Sequence, residues 1–225
     1  MYITMAERKK AEFACTTPQK IQSLSLAKKL PMKDQKHKNP NLYEPPGGML
    51  IWIIISIELL TFIIGIAVFL YRRQGAYELF AQSQALLDKG LGTINTMVLI
   101  SGGFFMAQSL QQLKNGQAFK SLRNIRLASL MGFVFLLIKG YEYYDKILHR
   151  HTLEANDFFT FYWLLTGFHF IHVLVALIIL LFLARGIRKG AYNQHQYEDV
   201  ETGGAFWHMC DLIWLLLFPV LYLLP

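Results

Sequence analysis

The sequence has few charged residues and almost no cysteine. Asp, Glu, Lys and Arg make up 16% of the 225 residues, whereas a soluble domain usually carries about 25%, which argues against a water-soluble enzyme. Its two cysteines, Cys15 and Cys210, lie in a polar segment and in an apolar run, so no disulfide, CxxC motif or haem-attachment motif is predicted. Residues 1–48 lack the apolar run of a signal peptide, and Glu7 and Glu12 argue against a transit peptide.

Five long apolar runs fill the rest of the chain. Hydrophobic residues make up 54% of the sequence and the mean hydropathy is +0.32. Each run has at least about 20 residues, enough at a rise of about 1.5 Å per residue to cross about 30 Å of hydrocarbon. The sequence therefore predicts an all-α, polytopic membrane protein, a bundle of five transmembrane helices within residues 49–225. The spans are predicted at about residues 49–71, 91–113, 124–147, 158–184 and 203–224.

Basic residues predict the orientation of these spans. With the N-terminus inside, sixteen Lys and Arg residues fall on the inner side and five on the outer side, so the N-terminus is predicted inside and the C-terminus outside. Residues 1–48 are predicted to be a polar, disordered basic tail, and Met32 is an alternative start to Met1. The basic residues are dispersed over alternate loops, which indicates a lipid-facing bias and no nucleic-acid partner.

Polar residues recur at helical spacing in the first and last spans. In the first span Glu58, Thr61 and Gly65 lie at i, i+3 and i+7. The stripe of the last span consists of Glu201, Gly204, Ala205, His208 and Asp211. Ionisable groups are costly in a bilayer, so both stripes are expected to face another helix of this subunit or of a partner. Glu58 could be a protonated carboxyl bonded between helices or a proton-exchanging carboxylate.

The third and fourth spans carry further ionisable groups. Glu142 follows Lys139 by three residues and precedes Lys146 by four, so the three are predicted to form an interfacial salt-bridge collar. His169 and His172 could bind a metal or a haem, but metal chemistry normally needs three or four ligands, which favours a buried hydrogen-bonding role. Most of these groups fall in the predicted inner half of the membrane, the side of proton uptake. A proton-exchange or interhelix polar network is predicted from Glu58, His169, His172, Glu201, His208 and Asp211.

Several of these segments together resemble a known family. Residues 161–173, FYWLLTGFHFIHV, resemble the FYxLTGxHxxHV signature of haem–copper oxidase (cytochrome c oxidase) subunit III. Residues 201–214, ETGGAFWHMCDLIW, resemble the E…WHxxDxxW block of that family. The segments KGYEY at 139–143 and INT at 94–96 are similar to the family's KxxEY helix end and LNT helix start, and Glu58 lies where the family has a buried carboxylate. The resemblance covers about residues 49–224.

The resemblance implies a non-redox subunit of a terminal oxidase that reduces oxygen with electrons from cytochrome c or quinol. In that family haem and copper belong to catalytic subunit I and to an electron-entry subunit, which are the expected partners. No metal or redox cofactor is expected in this chain, and bound phospholipid is. The resemblance further implies that the chain braces subunit I, supports proton uptake and resides in a bacterial inner membrane.

Three alternatives stay open. Five-helix members resemble bacterial oxidase subunits and also an accessory protein of nitric oxide reductase, and the ending FPVLYLL at 218–224 looks more like the accessory branch. A haem- or metal-binding membrane enzyme would use His169, His172 and His208. A small proton-coupled transporter would use Glu58 and Asp211 as carriers, but no inverted repeat is evident in the sequence.

Overall fold

Residues 48–224 are described by a computed structural model, and nearly all of them are helical. The elements are α1 (Met49–Gly75), α2 (Tyr77–Ala85), α3 (Lys89–Lys114), α4 (Ala118–Leu148), α5 (Asp157–Arg188), α6 (Glu198–Phe218) and a π-helical turn (Pro219–Leu223). This part of the chain has no β-strand, only an isolated bridge between Asn193 and Gln196. The predicted tail over residues 1–48 and the choice of start fall, Gly48 apart, outside the described residues.

Within the described residues, five helices are long and apolar enough to cross a membrane: α1, α3, α4, α5, and α6 with its π-helical turn. The predicted all-α bundle of five transmembrane helices is therefore confirmed, and the orientation of its termini stays a prediction. Three helices extend well beyond their predicted ends, since α4 begins at Ala118, α5 ends at Arg188 and α6 begins at Glu198. Hydropathy marks only the apolar part of a helix, whereas the backbone hydrogen bonds continue through polar residues beyond it.

The short helix α2 lies in the connection between the first two spans and was not predicted. Its nine residues, YELFAQSQA, mix polar and apolar side chains without a long apolar run. The fully buried Phe80 of α2 has its ring 5.3 Å from that of Phe69 in α1 and 5.8 Å from that of Phe158 in α5. These edge-to-face contacts hold the connection against the ends of two spans.

Two side chains cap the starts of spanning helices. The Asp88 carboxylate accepts a hydrogen bond from the backbone N–H of Leu91 at 3.0 Å at the start of α3. The Asn156 side-chain oxygen accepts from the backbone N–H of Phe159 at 2.9 Å at the start of α5. Asp and Asn are preferred at this position because their oxygens bond otherwise unpaired backbone donors. The caps therefore fix where the helices that carry the polar residues begin.

The core lies between α3, α4, α5 and α6. The helices α3 and α4 form a hairpin, α5 packs on α4, and α6 packs between α5 and α3. The indole of Trp207 in α6 is fully buried where Gly102 of α3 and Gly132 of α4 leave room for it. The helix α1 contacts α5 and α6 at the periphery and is the least buried of the five spans. Polar residues of α4, α5 and α6 thus face a shared interior, and those of α1 lie at its edge.

Candidate functional site: buried polar clusters

The Lys139 cluster consists of Lys139 and Glu142 of α4, Tyr162 of α5 and Tyr222 of the π-helical turn. Lys139 Nζ donates to Glu142 Oε2 at 3.1 Å, to Tyr162 Oη at 3.2 Å and to Tyr222 Oη at 2.6 Å. The Tyr162 and Tyr222 hydroxyls donate to Glu142 Oε1 at 2.8 Å and 2.6 Å. All three ammonium hydrogens and both hydroxyl hydrogens therefore have acceptors, and the ion pair has no net charge.

Aromatic rings surround the ammonium group of this cluster. Lys139 Nζ lies 4.8 Å from the ring centroid of Tyr162 and 5.2 Å from those of Tyr143, Trp214 and Tyr222. The exposed fractions of the Lys139 and Glu142 side chains are only 1% and 3%. Burying a charge costs several kcal/mol unless it is paired and hydrogen-bonded, and cation–π contacts add to the attraction. The cluster is therefore suited to joining α4, α5 and the π-helical turn, with no donor left over for a ligand.

The sequence predicts a collar of Lys139, Glu142 and Lys146, and the structure differs from this prediction in the partners of Lys146. Lys139 and Glu142 do pair. Lys146 Nζ instead donates to the backbone oxygen of Leu86 at 3.0 Å and to Asp145 Oδ2 at 3.1 Å. Helical spacing allows Glu142 to reach Lys146, but two buried tyrosine hydroxyls bond its carboxylate inside the bundle. The result is a buried cluster and a separate contact at the end of α4.

Glu58 of α1 and His172 of α5 form a second pair. Glu58 Oε2 lies 3.2 Å from His172 Nε2, and 25% of the Glu58 side chain and 11% of the His172 side chain are exposed. His172 Nδ1 lies 2.8 Å from the backbone oxygen of Phe168, which can only accept a hydrogen bond. The Nδ1 atom therefore carries a hydrogen, which leaves Nε2 facing the Glu58 carboxyl group. The pair thus places a carboxyl group and an imidazole, two groups that can each carry a proton, side by side.

Only part of the predicted stripe on α1 packs within this chain. Gly65 does face α5, with Leu165 against it. Thr61, however, is exposed, and its hydroxyl donates to the Ile57 oxygen of its own helix at 2.9 Å. A threonine can satisfy its hydroxyl within its own helix and so tolerates the apolar exterior. The inward face of α1, with Glu58 at its edge, consists of Ile51, Ile55, Phe62 and Phe69.

His169 occupies a different environment from His172. It is fully buried, and its ring stacks on that of Trp214 with the centroids 5.4 Å apart. The rings of Phe135 and Phe62 meet it edge-on at 5.8 Å and 6.3 Å. Neither ring nitrogen has a hydrogen-bond partner within residues 48–224. The contacts of His169 are therefore aromatic, and the hydrogen-bonding role predicted for it is not filled by a described protein group.

The polar stripe of α6 faces α3 of the same chain. Asp211 Oδ2 lies 3.4 Å from His208 Nδ1, and a Cβ atom at Gly103 of α3 would collide with the Asp211 carboxylate. Near the start of α6, Glu201 Oε1 accepts a hydrogen bond from Lys114 Nζ at 2.6 Å. The expectation that this stripe meets another helix is thus met within this chain.

The structure divides the six residues of the predicted network among four places. Its pairs are Glu58–His172, His208–Asp211 and Glu201–Lys114, and His169 lies apart among aromatic rings. In the described part of the chain, no group of three His, Cys, Asp or Glu residues could hold a metal ion. The arrangement can bond helices together and, at Glu58 and His172, exchange a proton.

Sequence reasoning missed the partners that complete the Lys139 cluster. Tyr162 belongs to an aromatic run and Tyr222 to an apolar ending, where a tyrosine is usually a packing residue. Tyr222 lies 83 residues from Lys139, so no local spacing connects them. The one signal available was a lysine and a glutamate within an apolar run, which require buried partners of some kind.

Comparison with known proteins agrees with the family resemblance of the sequence. The family model for cytochrome c oxidase subunit III matches residues 50–224. Cytochrome c oxidase subunit 3 of Thermostichus vulcanus is 29% identical over 192 residues, which are 85% of this chain and 92% of that protein. A probable subunit 3 of Nocardia farcinica is 26% identical over 175 residues, 78% of this chain and 85% of that protein.

A shorter match is found with a probable cytochrome c oxidase subunit 3 of Mycobacterium leprae, which is 32% identical over 127 residues. That match covers 56% of this chain and 63% of the relative, so there the alignment spans less than two thirds of the relative. The family model nevertheless extends over all five apolar helices. The chain is therefore a multi-pass membrane protein that belongs to the cytochrome c oxidase subunit III family.

Proposed function

We propose that the chain is the non-redox subunit III of a bacterial terminal oxidase in aerobic respiration, located in the inner membrane. Family membership implies a partner within a cytochrome c oxidase complex. In the proposal the chain braces the catalytic subunit, contacts lipid and supports proton uptake. Haem and copper then reside in catalytic subunit I and in the electron-entry subunit. The observation that carries the proton-uptake role is the Glu58–His172 pair.

This pair has the chemistry that proton transfer needs. Its two atoms, Oε2 and Nε2, are 3.2 Å apart, within the reach that proton transfer between a carboxyl group and an imidazole requires. Glu58 lies roughly 14 Å along α1 from Met49, at about 1.5 Å per residue, well inside the apolar part of a spanning helix. An ionisable residue at such a position is by default a functional one. Its partial exposure allows water or a partner subunit to reach the proton.

The surface beside the pair supports the bracing role. Outside its inward face, α1 exposes large apolar side chains along most of its length. A helix that also carries Glu58 at the edge of this surface is better covered by protein than by lipid alone, because lipid cannot bond the carboxyl group. The exposed side chains include Ile53, Ile57, Leu60 and Ile64. We assign this surface to the catalytic subunit.

Affinity purification of the full chain from native membranes, followed by mass spectrometry, tests the assembly. An oxidase catalytic subunit and an electron-entry subunit are expected to co-purify with it. Recovery of a nitric oxide reductase would instead assign the chain to the accessory branch. Recovery of neither would contradict the proposal.

Substitution of Glu58 tests the proton-uptake role. The variant Glu58→Gln keeps the size of the side chain but cannot release a proton at neutral pH. Proton uptake during turnover of the purified complex is expected to slow by about 100-fold, the lower end of the usual effect of losing a general acid–base group. The measurement is proton uptake by stopped-flow with a pH indicator.

Glu154→Gln is the matched control, because Glu154 is an exposed acid in the loop before α5. It is expected to leave uptake unchanged, and the yield of catalytic subunit should be the same for both variants. If Glu58→Gln takes up protons as fast as the wild type and loses activity over repeated turnover no faster, the role assigned to the pair is ruled out.

A further inference from the structure

A groove on the outer surface of α4 combines two arginines with apolar side chains. We call it the α4 basic groove; its volume is about 440 Å³. Its walls are Phe119, Leu122, Arg123, Arg126, Leu127 and Leu130. Phe119 and Leu130, at its two ends, are 81% and 50% exposed. The two arginines lie three residues apart, so their guanidinium groups project from one side of the helix.

These two arginines have no acidic partner among residues 48–224. The sequence contains no Asp or Glu from residue 89 to residue 141. Within residues 48–224, neither Arg123 nor Arg126 forms a hydrogen bond or an ion pair, although both are exposed. Lys114, at the end of α3, is bonded to Glu201 by contrast. The α4 basic groove therefore presents two unpaired positive charges.

The rest of the same α4 face shows where the groove lies relative to a membrane. Beyond Leu130 the exposed residues of this face are apolar, first Phe133 and then Leu137. Exposed tyrosines follow at Tyr141 and Tyr144, and tyrosine is enriched where hydrocarbon meets water. Arg126 and Tyr141 are about 22 Å apart along the helix at about 1.5 Å per residue. The arginines thus lie at one boundary of an apolar band and the tyrosines near the other.

We propose that the α4 basic groove binds one anionic phospholipid. The guanidinium groups of Arg123 and Arg126 hold the phosphodiester, which planar guanidinium groups bond in a bidentate manner. An acyl chain lies along Leu127 and Leu130 toward the apolar band. This site deepens the lipid contact of the proposed function and places it on α4, away from the α1 surface assigned to the catalytic subunit.

A phospholipid fits this groove better than a second protein does. A protein partner would have to place carboxylates against the arginines at the edge of the hydrocarbon, where each charge is costly. A phospholipid brings its negative charge at the headgroup level and its apolar chain below it, and anionic lipids attract basic residues near the surface. In the groove the two arginines are likewise followed by apolar walls at Leu127 and Leu130.

Native mass spectrometry of the purified complex tests the proposal. The complex is prepared in mixed micelles of phosphatidylglycerol and phosphatidylcholine, and the lipids retained on the full chain are counted. The wild type is expected to retain a phosphatidylglycerol molecule. The variant Arg123→Gln/Arg126→Gln is expected to lose roughly tenfold of the preference for phosphatidylglycerol over phosphatidylcholine, since each basic residue contributes to attraction of anionic lipid. An excess of inorganic phosphate should leave the lipid bound; its displacement would show a free-phosphate site and overturn the proposal.

The pair Arg185 and Arg188 of α5 provides the matched control. It has the same spacing and is exposed, but α6 begins with two acids nearby in sequence, Glu198 and Asp199. Arg185→Gln/Arg188→Gln is expected to keep the bound phosphatidylglycerol. Equal loss in both double variants would show general charge attraction and overturn the site.

Two further results separate this site from its alternatives. Arg123→Lys/Arg126→Lys keeps both charges but loses the bidentate geometry, so it should retain part of the lipid preference, even if the glutamine variant fails to fold. Complete loss in the lysine variant would contradict the proposal. Loss of the catalytic subunit from folded Arg123→Gln/Arg126→Gln would show a protein interface and also contradict it. Retained lipid without a co-purifying oxidase would defeat the proposed function but leave this inference intact.

Discussion

At the scale of single residues, Lys139 and Glu142 pose a question of free energy, because both are almost fully buried in a membrane-spanning bundle. Their five hydrogen bonds close on one another through two tyrosine hydroxyls. Removing one charged partner leaves the other unpaired in a low-dielectric environment, which costs about 3–5 kcal/mol. Removing both charges leaves only neutral groups, which is far less costly.

This asymmetry makes a specific prediction for stability. Lys139→Met should destabilise the isolated subunit by about 3–5 kcal/mol because Glu142 loses its counter-charge. The double variant Lys139→Met/Glu142→Gln should recover more than half of that loss. The measurement is the free energy of unfolding in mixed detergent micelles, followed by circular dichroism. Additive losses in the double variant would contradict a coupled ion pair.

At the scale of elements, the approach of α3 to α6 depends on a glycine. Gly103 of α3 lies where a Cβ atom would collide with the carboxylate of Asp211 in α6. Small residues at such crossings allow two membrane helices to pack closely. Gly140 of α4 is different, because nothing lies within 4 Å of a Cβ built there.

These two glycines should respond in opposite directions to the same substitution. Gly103→Ala is expected to destabilise the bundle by about 1–3 kcal/mol, the usual cost of overpacking. Gly140→Ala should be neutral or stabilising by up to about 1 kcal/mol, because alanine is the better helix former. Thermal unfolding of the two purified variants compares them directly. A similar loss of stability in both would show that the α3–α6 contact at Gly103 does not decide the outcome.

Most elements could be predicted because a membrane span has a strong local signal. About 20 apolar residues in a row identify the middle of each span regardless of its neighbours. The helix α2 lacks that signal, and it is held by the contacts of Phe80 with Phe69 and Phe158, which come from distant parts of the chain. The exposed position of Thr61 likewise depends on how α1 lies against α5 and not on spacing within α1.

At the scale of the whole molecule, the polar residues separate toward two ends of the bundle. Glu58 and Glu201 lie nearer the start of α1 and of α6, respectively, whereas Lys139 and Glu142 lie in the last third of α4. Sequence reasoning identified the ionisable residues within the spans. It could not pair them, because Glu58 meets His172 and Glu201 meets Lys114 only through the packing of separate helices.

The orientation of the bundle is open to a direct measurement. Basic residues predict that the segment between α5 and α6, residues 189–197, faces the inner side and that the end of the last span faces the outer side. A phosphatase active only outside the inner membrane should therefore be active when fused after residue 225 and inactive when inserted in residues 189–197. The reverse pattern would invert the predicted topology.

Tyr222 contributes to a bond network whose other members are synthesised far earlier, since it lies 80 residues after Glu142. While the ribosome is still translating α5 and α6, the Lys139–Glu142 pair lies in the membrane without all of its hydrogen-bond partners, because Tyr222 has not yet been synthesised. Biogenesis therefore has a vulnerable interval that ends only when the last span has been inserted and its closing turn has docked. A nascent chain halted within that interval would carry two charges that lack the Tyr222 hydroxyl among their partners.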